Sequence, residues 1–87
     1  MASGARSVAF GKYTVAAGDT SVAINYNNKI TENGYDSFVC NSQNTVNANR
    51  SFVAGFSNIS NGTGSTILGT YNTSSNTEQL LLGNHLA

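Results

Sequence analysis

The segment Ser7-Val8-Ala9-Phe10-Gly11 decides the fold, because altered copies of it run down the rest of the chain. They are Ser21-Val22-Ala23-Ile24-Asn25, Ser37-Phe38-Val39-Cys40-Asn41, Ser51-Phe52-Val53-Ala54-Gly55, Ser65-Thr66-Ile67-Leu68-Gly69 and Gln79-Leu80-Leu81-Leu82-Gly83. Successive starts lie fourteen residues apart, except for one step of sixteen between Ser21 and Ser37. With Ser7 as position one of a coil, a weaker segment fills positions eight to twelve, reading Thr14-Val15-Ala16-Ala17-Gly18 in the first coil. Residues 2–6 read as the tail of a preceding coil, with Ala2 on position ten and Gly4 on position twelve. Short β-rich segments separated by Gly and Asn at a fixed period describe an all-β chain wound as a parallel β-solenoid of about six coils. Stacking at ~4.8 Å per coil gives a rod of roughly 29 Å. The whole chain, residues 1–87, is then one repeat domain.

Composition agrees with that reading and excludes others. Asn, Ser, Thr and Gly supply 42 of the 87 residues, only 9% are charged, and the formal net charge is zero. Four scattered cations cannot form the basic patch of a nucleic-acid binder. No apolar run approaches the roughly 18 residues of a membrane-spanning helix, so membrane insertion is not expected. Residues this poor in helix propensity do not build long helices or coiled coils. Leu, Ile, Val and Phe together make up under a quarter of the chain, too little for an ordinary core in a domain of this size. A solenoid answers that deficit, since its interior is narrow.

The alternation of side chains along a strand assigns the faces. Position three, Ala9, Ala23, Val39, Val53, Ile67 and Leu81, points into the roll. Position ten, Ala2, Ala16, Ile30, Val46, Ser60 and Ser74, faces it from the second segment. The two rows compensate in size: Val39 goes with Val46, Ala23 with Ile30, and Ile67 with Ser74. Position eight holds Asn28, Asn44, Asn58 and Asn72, which at this spacing read as a stacked amide ladder between coils.

Positions two and four lie on the opposite face of the first segment, and they are apolar as well. The residues are Val8, Phe10, Val22, Ile24, Phe38, Cys40, Phe52, Leu68, Leu80 and Leu82, with Ala54 and Thr66 completing the rows. One face is satisfied by the roll interior. The other would stay exposed in a monomer, and exposed apolar patches of this kind mark interfaces. The second segment instead turns residues such as Lys29, Thr45 and Thr73 outward. A homo-oligomer joined through the first-segment face is expected.

Ser7-Val8-Ala9-Phe10-Gly11 followed by Thr14, Ala16 and Gly18 resembles the head repeat of YadA-type trimeric autotransporter adhesins. That family repeats a Ser-x-Ala-x-Gly element and a second x-Ala-x-Gly element every fourteen residues. The likeness is close from Ala2 to Asn25; further on, Val, Ile and Leu replace the interior Ala, and Asn25 and Asn41 replace Gly. The resemblance implies a left-handed β-roll assembled as a parallel homotrimer. Similar repeats occur in phage and virus fibre proteins. It therefore implies a non-enzymatic attachment module displayed on the surface of a virion. The alternative is the head of a bacterial adhesin at the cell surface, binding host surface or extracellular matrix. A host glycan or protein is the implied ligand, and an adjacent fibre or virion domain is expected to dock at the chain ends.

Few features depart from the repeat. The sixteen-residue step adds two residues around Glu32-Asn33-Gly34-Tyr35-Asp36, and Asn-Gly there signals a tight turn. Asn33, Gly34, Tyr35 and Asp36 form the candidate ligand loop. Cys40 reads as a packing residue. His85 has no second metal ligand near it in sequence. The acids Asp19, Glu32, Asp36 and Glu78 form no catalytic constellation, so neither an enzyme nor a bound cofactor or metal is expected.

Overall fold

The computed structural model describes residues 1–86. Eleven strands follow one another: β1 Val8–Lys12, β2 Val15–Ala16, β3 Val22–Tyr26, β4 Lys29–Ile30, β5 Phe38–Ser42, β6 Thr45–Val46, β7 Phe52–Phe56, β8 Ile59–Ser60, β9 Thr66–Thr70, β10 Thr73–Ser74 and β11 Leu80–Asn84. The odd-numbered strands form a six-stranded parallel sheet in the order β1-β3-β5-β7-β9-β11. The even-numbered strands form a five-stranded parallel sheet. Each of the first five coils therefore contributes one strand to each sheet, and the last contributes β11; the architecture is a parallel β-solenoid. The Cα extents are 30 × 23 × 11 Å, and the longest matches about six rungs at the ~4.8 Å strand spacing.

Register follows the sequence period. Val8 pairs with Val22 and Leu80 with Thr66, while the longer step pairs Val22 with Phe38. The second-segment strands are only two residues long, shorter than the five positions the repeat suggests. Inter-coil bonding nonetheless continues past them, as in Ala17 N–H to the Ile30 carbonyl at 2.9 Å and Asn47 N–H to the Ser60 carbonyl at 2.8 Å.

The interior is the thin column expected from the two inward rows. Ala16, Ala23, Ile30, Val39, Val46, Val53 and Ile67 are fully buried, and Leu81 nearly so. Ser60 and Ser74 complete the column on its polar side; the Ser60 hydroxyl lies 2.8 Å from that of Ser51. A buried hydroxyl needs such a partner to offset the loss of water. The position-one serines hold the corner as well: Ser7 donates to the Gly4 carbonyl at 2.7 Å, and Ser51 N–H donates to the Ser37 hydroxyl at 2.9 Å.

Every residue with positive φ falls on one of three coil positions. Position five carries Gly11, Asn25, Asn41, Gly55, Gly69 and Gly83; position seven runs from Tyr13 to His85; position fourteen runs from Arg6 to Glu78. These are the turns that close the coil. Position five has the strictest demand: a Cβ on Gly69 would sit 1.8 Å from the Gly83 carbonyl oxygen, at φ 140°. Asn25 and Asn41 meet each other at this position in adjacent coils. They take smaller φ values, 92° and 79°, and the β3–β5 ladder is interrupted there, with Ile24 and Asn25 missing from its register.

Candidate functional site

The outer face of the six-stranded sheet is apolar along its length. Phe10 is 72% exposed, Leu80 62%, Leu82 56% and Val8 50%. Phe52 and Leu68 are exposed to a lesser degree, and Val22, Ile24, Phe38 and Cys40 are half-buried. The bulk shifts from row to row. In the end coils position four is large (Phe10, Leu68, Leu82), whereas in the middle it shrinks to Cys40 and Ala54 and position two carries Phe38 and Phe52. Burial among these neighbours raises the Cys40 thiol pKa, so the group stays protonated at neutral pH. The five-stranded sheet presents Lys29, Thr45 and Thr73 outward, with Ile59 its one exposed large apolar residue.

The position-eight asparagines are fully buried and linked from coil to coil. The Asn28 Oδ1 accepts from Asn44 N–H, the Asn44 Oδ1 from Asn58 N–H, and the Asn58 Oδ1 from Asn72 N–H, each at 2.9 Å. Each amide nitrogen also bonds to backbone carbonyls at the turn. Asn44 Nδ2 donates to Cys40 at 2.8 Å and Gly55 at 2.9 Å; Asn58 Nδ2 donates to Ala54 at 3.2 Å and Gly69 at 2.8 Å. Both ends of each side chain are thus spent inside the structure, leaving nothing to offer a ligand. Asn58 and Asn72 also begin glycosylation sequons, and their complete burial keeps both from carrying a glycan.

The two extra residues are Glu32 and Asn33. Thr31 still bonds to the next coil, its N–H donating to the Val46 carbonyl at 2.9 Å. Tyr35 is back in register, its carbonyl accepting from Arg50 N–H at 3.0 Å. Gly34, alone among the four residues of the candidate ligand loop, is buried. It occupies the position-twelve corner under Gly18, where its own Cβ would meet Ile30 Cγ2 at 2.7 Å and a Cβ on Gly18 would meet the Gly34 backbone at 2.7 Å. Asn33, Tyr35 and Asp36 remain exposed.

Asp36 lies on an open groove of about 540 Å³ at the corner where the chain turns into the six-stranded sheet. Thr20, Asp36 and Arg50 line it from the turn, and Phe38, Phe52 and Thr66 from the starts of β5, β7 and β9. The Phe38 and Phe52 rings stack at 5.4 Å with an interplanar angle of 8°. The side chains of Asp36 and Arg50 have no hydrogen-bond or ion-pair partner among the described residues. Thr20, Asp36 and Arg50 occupy position fourteen of successive coils, and the meeting of that column with the two aromatic side chains depends on how the turn delivers it to the sheet.

The opposite corner carries aromatics that the repeat did not single out. Tyr13 packs edge-on against Tyr26 at 6.1 Å, Phe56 against Tyr71 at 5.5 Å, and Tyr71 against His85 at 6.0 Å. Three of the four tyrosines fall on positions six and seven, a signal split across two columns and so easily lost.

The fold and these surfaces define a β-solenoid repeat module of a fibre-compatible kind: six coils, a fourteen-residue spacing and one apolar outer face. No known protein family and no characterised protein matches the sequence.

Proposed function

We propose that the chain is a non-enzymatic module of a homotrimeric surface fibre or spike, a rigid β-roll whose role is attachment. One observation carries the reading. The outer face of the six-stranded sheet is apolar from Val8 to Leu82, while the opposite sheet is largely polar. In a monomer that face would be an open hydrophobic strip, and strips of this size are covered in stable proteins. Three copies about a common axis, in parallel and with the left-handed winding of YadA-type heads, would cover it and share one core. The position-four row and the end-coil residues Val8 and Leu80 would supply most of the contact. A virion fibre and a bacterial adhesin head both use such a module. The neighbouring domains of the fibre, docked on the first and last coils, would set which of the two this is.

Sedimentation equilibrium tests the assembly. The expected result is a trimer mass that Leu68→Asp combined with Leu82→Asp converts to monomer while the far-ultraviolet spectrum stays β-rich. A stable folded monomer of the unaltered chain would refute the reading.

A further inference from the structure

We infer that the groove between the position-fourteen turn and the starts of β5 and β7 is a binding site for a neutral saccharide. The inference deepens the attachment role proposed above and rests on it.

Three departures from the repeat fall within residues 25–52. The two-residue insertion, Glu32 and Asn33, ends three residues before Asp36. The aromatic pair Phe38 and Phe52 replaces the smaller Val8 and Val22 of the earlier coils. The gap in the β3–β5 ladder falls between the same coils. Of these, the aromatic pair lines the groove, and Asp36, just after the insertion, stands at its rim.

Its chemistry is specific. A volume of about 540 Å³ falls within the roughly 300–1,000 Å³ of small-molecule sites, and an apolar lining with a few convergent polar groups is their usual composition. Phe38 and Phe52 stack on each other with nearly parallel rings, and Phe52 is 43% exposed. Flat aromatic faces with a negative π cloud attract the weakly positive C–H face of a pyranose ring. At the rim stand one carboxylate, Asp36, and one guanidinium, Arg50. They belong to adjacent coils and are not bonded to each other. A charged ligand of either sign would meet one attractive and one repulsive group, so the pair favours neither sign. A neutral polyol satisfies both, its hydroxyls donating to the carboxylate and accepting from the guanidinium, and charge-assisted bonds of this kind are the strong ones. Thr20 and Thr66 add hydroxyls at either end. No position-four residue lines the groove; Phe38 and Phe52 are position-two residues of the same outer face, so the site requires that the trimer contact run along position four and leave these two rings open at its edge.

Saturation-transfer NMR and a glycan array on the intact chain test the inference, with neutral hexose-containing oligosaccharides and acidic ones as separate arms. The expected result is saturable binding of a neutral saccharide that weakens about tenfold or more in Asp36→Asn and in Arg50→Asn. Asn keeps the left-handed backbone of both positions accessible. Phe52→Ala should abolish the transfer signal, and Lys29→Gln on the opposite sheet should leave it unchanged. Sedimentation of the same samples separates the two readings. A trimer that binds no saccharide overturns the site and spares the assembly; binding by a monomer overturns the assembly and spares the site. Binding of acidic saccharides alone, or binding indifferent to Asp36→Asn and Arg50→Asn, also overturns the inference.

Discussion

Replacing Asn58 by Ala tests whether the amide ladder holds the coils together. Asn58 is fully buried, its Oδ1 accepts from Asn72 N–H at 2.9 Å, and its Nδ2 donates to the carbonyls of Ala54 and Gly69. Truncation strands one backbone donor and removes a partner from two carbonyls. Each buried group left without a partner costs about 1–3 kcal/mol. A water admitted to the polar void would recover part of that, so the expected loss is about 3–5 kcal/mol. A chain of this length has a total stability on the order of 4–13 kcal/mol, and the variant should spend a large fraction of it. Thr14 is the internal control. It occupies the same coil position, yet its hydroxyl makes a single long bond to the Gly11 carbonyl, at 3.4 Å. Thr14→Ala should cost about 1 kcal/mol or less. Urea unfolding of both variants and the parent, at one protein concentration because assembly would make stability depend on it, gives the comparison. The m-value should be unchanged. Equal losses for Asn58→Ala and Thr14→Ala would refute the reasoning, as would an Asn58→Ala loss below about 1 kcal/mol.

Further outcomes follow from the turns and the thiol. Gly69→Ala places a methyl group on the Gly83 carbonyl oxygen at φ 140° and should abolish cooperative folding by circular dichroism. Gly64→Ala meets nothing closer than 3.3 Å, and its strain at φ 74° should cost only about 1 kcal/mol in urea. Thr20 is β-branched at φ 56°, so Thr20→Gly should relieve strain and raise the melting temperature by about 4–8 °C, corresponding to ~1 kcal/mol; an unchanged or lower value counts against the strain. The raised Cys40 pKa means the folded chain keeps that proton to higher pH than the unfolded chain. Stability should therefore fall as pH rises above the ordinary thiol range of about 8.5, a fall that Cys40→Ala removes.

The period made most of the fold readable. Once Ser7 and Ser21 are aligned, the interior rows, the parallel register and the coil count all follow, because stacked coils repeat the same environment at the same position. The insertion was harder. Asn33-Gly34 looks like a free-standing turn, and only the column Gly4, Gly18, Gly34 and Gly62 reveals that Gly34 belongs to the regular corner. That column is fixed by contacts between coils, as in the close approach of Gly18 to Gly34, which no local rule reports. The position-one serines have the same character. They mark the start of each copy in the sequence, yet their work is to close the corner with carbonyls of position twelve, in their own coil or the one beside it, as Ser51 does with Ala48. The groove was readable only in part. Asp36 stood out as an acid beside an insertion, whereas its neighbour Arg50 lies fourteen residues on and Phe52 sixteen, distances that become contacts only through the winding.

The gap between β3 and β5 shows how the ladder and the sheet share one task. A glycine at position five lets adjacent strands approach, and wherever at least one partner is Gly the pairing runs through, as at Gly11 with Asn25 and Asn41 with Gly55. Asn25 facing Asn41 brings two Cβ atoms to the same point, and the pairing stops. The coils do not separate, because Asn28 Nδ2 donates to the Ile24 carbonyl at 2.6 Å and to the Asn41 carbonyl at 2.8 Å, bridging the two strands where their own bonds are missing. The buried amide thus supplies from inside the roll the connection that the sheet loses on its surface. The same bridge spans the intact ladders, from Asn44 to the Cys40 and Gly55 carbonyls and from Asn58 to those of Ala54 and Gly69. Position eight therefore ties adjacent coils whether or not position five is Gly, and between β3 and β5 it is the tie that remains across the break at Ile24 and Asn25.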